Sequence, residues 1–148
     1  MGKKKINSVK VEYEGIEFDS LTERDFYIYL TENMDKLGIC QIWPHPQYKL
    51  IEPFELTCPA CKGEGTQKSE KTGRDINCKR CKGSKVMKRQ GTSYTADFQV
   101  LYSDGGSTTF DVKGFKNDRF PLYKKLFEQK YGIQLVEVYR KQGEWIYK

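Results

Sequence analysis

The sequence predicts an α/β protein in which helices flank one mixed sheet and a cysteine-rich module interrupts the core. Three observations predict it. Short alternating segments interleave with two helical periodicities, the arrangement that layers helices on a sheet. One stretch, 57–93, has no apolar period and is rich in Gly, Lys and Cys. The chain's 148 residues, 37% hydrophobic and 14% aromatic, suffice for one core with a small appendage.

The first element is 10–19, KVEYEGIEFD, which alternates about Glu14-Gly15 and predicts a hairpin. Ser20 and Glu23 then have the spacing of a capping box. Leu21, Phe26, Leu30 and Leu37 recur at helical intervals, so a helix is predicted over 21–37. A short strand over 47–51 is bounded by Pro44, Pro46 and Pro53. Strands over 94–102 and 108–113 enclose Ser103-Asp104-Gly105-Gly106-Ser107, and form a ribbon. Leu122, Leu126, Phe127 and Lys130 predict an amphipathic helix over 121–131, with Pro121 in its first turn. A strand follows over 133–138, and 145–147 pairs back as an edge. The core is thus expected in 1–56 and 94–148, with 57–93 inserted.

Charge is concentrated in the insertion. Ten basic and three acidic residues lie in 57–93, so the segment carries +7 of a chain whose net charge is +6. Such a segment favours a polyanion, nucleic acid first, although a solvated loop would show the same excess. No run approaches the roughly 18 apolar residues of a membrane span. MGKKKINSVK has no apolar stretch of a secretory signal, and Ile6 departs from the myristoylation pattern. A soluble, intracellular protein is expected.

Cys58, Cys61, Cys78 and Cys81 form C-x2-C-x16-C-x2-C. Two such turns bring paired thiolates into a tetrahedron suited to Zn²⁺, and Gly63 and Gly83 let each turn close. Two disulfides are the alternative. Four thiolates leave no open position, so the zinc is expected to be structural, holding a segment with little core of its own. CPACKGEG and CKRCKGS resemble the zinc centre of the J-protein chaperones, over these two knuckles alone. Cys40 is expected to be a small buried residue.

The ribbon raises a chemical question, because charges sit within strands that otherwise carry Phe, Val and Tyr. Side chains alternate across a strand. Asp97 and Gln99 therefore share one face, as do Asp111 and Lys113 on the partner. With a three-residue loop and Ser103 facing Ser107, Asp97 is opposite Lys113 and Asp111 is opposite Gln99. An ordinary hairpin with a polar outer face would look similar. Leu101 and the flanking apolar elements argue that both faces are covered, and covered carboxylates need partners or a metal. Glu23 is a third candidate: it either caps its helix or, with Phe26 and Leu30 three and seven residues on, points towards the sheet. Three carboxylates suit Mg²⁺, or Mn²⁺ in its place, and Lys113 is placed to assist a water. His45 is the only histidine, which excludes histidine-based triads and His-metal nucleases. No Walker pattern is present.

Glu23, Asp97 and Asp111-Val112-Lys113 resemble the PD-(D/E)XK nuclease superfamily. FDSLTERDFYIYL, YTADFQVLYSDGG and FDVKGF resemble a phage-borne branch of it, and more distantly the TnsA transposition endonucleases. Thr95-Ala96 stands where the superfamily has a nominal proline before the aspartate. The resemblance implies a restriction-endonuclease-like core and metal-dependent hydrolysis of DNA phosphodiesters. Glu23, Asp97 and Asp111 would bind Mg²⁺, Lys113 would assist the water, and Gln99 would be an auxiliary. It further implies a homodimer acting on branched DNA, as Holliday-junction resolvases do, in the cytoplasm of a bacterial host if the chain is phage-encoded. A sequence-specific restriction or transposition-type nuclease is a competing expectation. So is a non-catalytic, zinc-stabilised nucleic-acid-binding protein.

Overall fold

A computed structural model describes residues 9–114 and 118–148. Ile6 and Phe115, used above, lie outside the described residues. The elements in chain order are β1 (Val11–Tyr13), β2 (Ile16–Phe18), α1 (Leu21–Glu32), α2 (Met34–Leu37), β3 (Ile39–Pro44), β4 (Gln47–Ile51), β5 (Phe54–Thr57), β6 (Thr66–Lys68), β7 (Asp75–Asn77) and β8 (Val86–Arg89). Then come β9 (Thr92–Thr95), β10 (Phe98–Tyr102), β11 (Ser107–Val112), α3 (Phe120–Tyr131), β12 (Leu135–Lys141) and β13 (Glu144–Tyr147).

The chain divides into two compact units. One holds the described residues up to Tyr48 and from Tyr94 onward; the other is Lys49–Ser93. The second unit begins before the expected 57 because β5 pairs with β8, Phe54 opposite Arg89 and Thr57 opposite Val86.

The first unit is built on a five-stranded sheet of order β13-β12-β11-β10-β3. The β11–β12 pair is parallel and the others are antiparallel, so the sheet is mixed. A parallel neighbour needs a crossover, and α3 supplies it between β11 and β12. One face packs Phe98, Val100, Phe110 and Val138 against Phe26 and Leu30 of α1, with Phe18 and Ile39 in the same core. On the other face, Thr109 and Asp111 are buried alongside Phe120 and Phe127 of α3. Tyr48 completes this layer, with its ring 4.8 Å from that of Phe127 and its hydroxyl 3.0 Å from Thr109 Oγ1. Both faces are covered, so the polar residues of β11 are not on an open hairpin face.

Several local features differ from the sequence reading. The first helix ends at Glu32 rather than running to 37. Asn33 takes the Tyr29 carbonyl with its own side chain at 2.8 Å, and competes with the helical ladder there. Leu21 and Leu122 are exposed; α3 buries Phe127, as its pattern predicts, together with Phe120. The strand expected over 94–102 is two strands, broken at Ala96-Asp97. Strand β3 was not expected. It pairs with β10 through a bulge: Leu101 faces Gln41 but Tyr102 faces Ile39. Cys40 is the extra residue, which turns it outward, so it is exposed rather than buried.

The ribbon register also differs. Leu101 faces Ser107 and Phe98 faces Phe110, a shift of two residues from the expected pairing. The Ser103 N–H is drawn to the Gly38 carbonyl at 2.8 Å, and the Gly106 N–H donates to Asp104 Oδ1 at 2.8 Å, so the loop opens early. A shift of two preserves which face each side chain occupies. It places Asp97 across from Asp111 rather than Lys113.

Candidate active site and metal centre

Asp97 sits in the break between β9 and β10. Its N–H donates to the Phe110 carbonyl at 3.1 Å, and its carbonyl accepts from the His45 N–H at 2.8 Å. Its side chain accepts from the Val112 N–H, with Oδ2 at 2.5 Å. Desolvation pushes the Asp97 carboxyl well above its usual range; the charges of Asp111 and then Glu23 push the same way, against Val112 and Lys113. The charges of Asp111 and Glu23 thus act in the same direction as burial on the Asp97 carboxyl.

The flanking acids approach from opposite layers. Glu23 lies with Phe26 and Leu30 on the buried side of α1. Both its oxygens are engaged: Oε1 is 2.8 Å from His45 Nε2, and Oε2 accepts from the Asp19 N–H at 3.0 Å. Its own N–H donates to Ser20 Oγ at 3.1 Å, so the residue also serves the helix start. Burial raises the Glu23 pKa, and the His45 hydrogen bond opposes that rise. Asp111 faces the α3 layer, where it accepts from the Tyr94 hydroxyl and pairs with the Lys113 ammonium. The Lys113 ammonium also lies over the Phe120 ring. Burial and then the Asp111 charge raise the Tyr94 pKa, keeping that hydroxyl a donor.

Ligands of one Mg²⁺ at about 2.1 Å stand at most roughly 4.2 Å apart. Among the described residues, only the four cysteines form a group of three or more whose ligand atoms all lie within 4.8 Å of one another. Glu23, Asp97 and Asp111 are neighbours, but their oxygens are not gathered tightly enough for all three to bind one ion directly in this arrangement. Gln99 lies within the sheet between Thr109 and Trp43, half-buried.

Two partners escaped the sequence reading. As the only histidine His45 has no second imidazole to suggest a site, and Tyr94 fits the apolar pattern of its strand. The available signal for His45 was Pro44-His45-Pro46, a turn that points one side chain away from both strands. A cleft of about 640 Å³ adjoins the cluster, lined by Lys113, Phe120, Lys124, Lys125, Glu137 and Tyr139 among others. Lys124 is paired with Glu137 at 2.9 Å.

The second unit holds the cysteine cluster. Cys58, Cys61, Cys78 and Cys81 are buried free thiols. Their sulfurs stand 3.9 Å apart for Cys58 and Cys78, and 3.7 Å for Cys61 and Cys81. A tetrahedron with Zn–S of about 2.3 Å has edges of about 3.8 Å. The four cysteines can therefore hold a metal ion such as zinc. Burial pushes the Cys81 thiol up, but N–H groups of Lys85 and Gly83 and the neighbouring sulfurs outweigh it, bringing it down to about 6.

The two knuckles are built alike. The Cys58 N–H donates to the Lys85 carbonyl at 2.9 Å, and the Cys78 N–H to the Gly65 carbonyl at 2.8 Å. The Glu64 N–H reaches the Cys61 carbonyl, and the Ser84 N–H the Cys81 carbonyl, both at 3.0 Å. Lys62 and Lys82 share a φ of 53°.

Among the described residues, no helix is long and apolar enough to cross a membrane. Comparison with known proteins finds a family model, described as "Protein of unknown function (DUF1064)", that matches residues 3–148. No curated protein matches the chain.

Proposed function

The chain belongs to the DUF1064 family, and from its acidic cluster we propose that it is a divalent-metal-dependent DNA endonuclease of the PD-(D/E)XK type. One observation carries the reading: Asp97 stands across the ribbon from buried Asp111, and His45 links its backbone to buried Glu23. Like charges crowded in a desolvated place repel one another, and a hard cation relieves that repulsion. Carboxylate oxygens are the donors Mg²⁺ or Mn²⁺ prefers. Asp97 and Asp111 would hold the ion, with Glu23 acting through a water or after a side-chain rotation. When bound, such an ion polarises a phosphate oxygen and makes a water more acidic.

The remaining roles belong to the chain's own groups. Lys113 offsets charge on the phosphate in flight and orients the attacking water. Tyr94 orients Asp111, and His45 orients Glu23 in the ion-free arrangement. The cleft beside Lys113 admits a phosphodiester strand, with Lys124 and Lys125 on its wall. The cysteine cluster is a structural zinc site, because four thiolates close the coordination shell. A homodimer supplies a second nick, and branched DNA such as a four-way junction is the preferred substrate.

A second reading has an observation in its favour. Asp111 already has Tyr94 and Lys113 as partners, so the cluster is satisfied without an ion. On that reading the chain is a zinc-stabilised nucleic-acid-binding protein. The test is cleavage of labelled duplex, single-stranded, flap and four-way substrates with and without Mg²⁺, by the wild type and Asp97→Asn. Metal-dependent cutting that the variant loses supports the nuclease. Absence of cutting on every substrate favours the second reading, and equal cutting of junction and linear duplex removes the junction preference alone.

A further inference from the structure

The two knuckles make the same cage from different residues. Gly65 (φ 81°) and Lys85 (φ 69°) occupy equivalent left-handed positions. Gly63 lies against Thr57 and Gly83 against Asn77, again at matching places. The metal cage therefore constrains Cys and Gly at twin positions. It does not constrain what lies between them: Pro59-Ala60 on the first knuckle is Lys79-Arg80 on the second, and Gly65 is Lys85. The first knuckle is an internal control, since it builds the cage without those cations. Lys85 even accepts a left-handed backbone that its twin fills with glycine, at a local cost.

The setting is strongly cationic. Lys49–Ser93 contains eleven basic and five acidic residues. Four thiolates with one Zn²⁺ would lower its formal +6 to about +4. Lys79, Arg80, Lys85 and Arg74 are all exposed. Among the described residues of the unit, ion pairs join Lys68 to Asp75 and Lys49 to Glu52, and these four cations stand outside them.

We infer that the second knuckle is a phosphate-binding surface that grips the nucleic-acid backbone through Lys79, Arg80 and Lys85. This rests on the nucleic-acid part of the reading above and is independent of catalysis. Backbone contacts carry affinity and position without sequence information.

The experiment grafts the first knuckle's chemistry onto the second: Lys79→Gln, Arg80→Ala and Lys85→Gly together. Gln at 79 keeps the N–H that donates to Gln67 Oε1 at 3.3 Å. Fluorescence anisotropy reads binding to a labelled DNA duplex across salt concentrations. The protein is the zinc-loaded full chain carrying Asp97→Asn, without added Mg²⁺. The graft is expected to bind more than tenfold more weakly at about 0.1 M salt, with the log–log salt slope reduced by about 2 to 3. Zinc content should be unchanged, and the exchange Lys79→Arg with Arg80→Lys should preserve binding. If the graft loses zinc, Arg80→Ala alone, copying Ala60, is expected to lower the slope by about 1. An unchanged affinity and slope would overturn the inference. So would an unfolded-polypeptide probe that binds the wild type and not the graft while duplex binding stays the same. A chain that never cuts DNA yet binds it through these cations removes only the catalytic reading. Cutting that persists while binding ignores the graft removes only this one.

Discussion

His45 Nε2 stands 2.8 Å from Glu23 Oε1, and the His45 N–H donates to the Asp97 carbonyl at 2.8 Å. One residue therefore ties an acid on α1 to the backbone of an acid in the β9–β10 break. Its φ of 53° is unusual for a non-glycine residue. The Ala96 N–H to the Pro46 carbonyl at 3.0 Å closes the turn from the other side. His45→Ala should leave the Glu23 carboxylate with the Asp19 N–H as its one remaining partner of the two described. Groups that orient ligands in this way contribute about 10- to 100-fold in metal affinity or activity. The expected result is a comparable rise in the Mg²⁺ concentration for half-maximal cleavage, smaller in His45→Gln.

Asp97 should weaken the fold that it serves. Its folded pKa lies above the unfolded value of about 3.9, so the stabilisation from protonation is complete below that value and lost as pH rises through the folded pKa. Asn at this position keeps an oxygen for the Val112 N–H and removes the charge. Asp97→Asn should therefore raise Tm at pH 7, with the advantage narrowing towards about pH 4. In calorimetry, Mn²⁺ should raise the wild-type Tm and leave the variant's unmoved.

Tyr94→Phe removes one partner from buried Asp111 and leaves Lys113 as the other. A hydrogen bond to a buried charged group typically contributes about 1.5–3 kcal/mol. Urea unfolding should show a loss of that size. Activity should fall as well, because Asp111 is then free to rotate onto Lys113 alone.

Lys49–Ser93 holds the two-stranded pairs β5 with β8 and β6 with β7, and such ribbons are marginal alone. Metal removal should therefore melt this unit. A zinc-specific chelator should release one equivalent of zinc and open new protease sites within Lys49–Ser93, located by mass spectrometry, while cleavage sites stay absent from the five-stranded sheet. Cys78→Ser should show the same protease pattern without chelator.

The order of the elements was legible because patterning is local. The face of each ribbon residue was legible for the same reason: parity survives a shift of two. Register was not, because it depends on Ser103 being drawn to Gly38, a contact 65 residues away in sequence. The exposure of Cys40 is not legible, because a bulge adds one residue to β3 and reverses which side chain faces out. Tyr94 and His45 were hidden for a related reason. Each acquires its chemistry only from a partner 17 or 22 residues away. The cysteine spacing, by contrast, carries its geometry in eight-residue turns and is readable at sight.

The central claim is that Glu23, Asp97 and Asp111 serve one divalent cation beside Lys113. Electron paramagnetic resonance of Mn²⁺ titrated into the zinc-loaded chain tests it most directly. One bound Mn²⁺ per chain is expected in the wild type, lost in Asp97→Asn and in Asp111→Asn. If no Mn²⁺ binds, or if binding survives both substitutions, the acids are only structural partners of Tyr94, Lys113 and His45, and the claim is wrong.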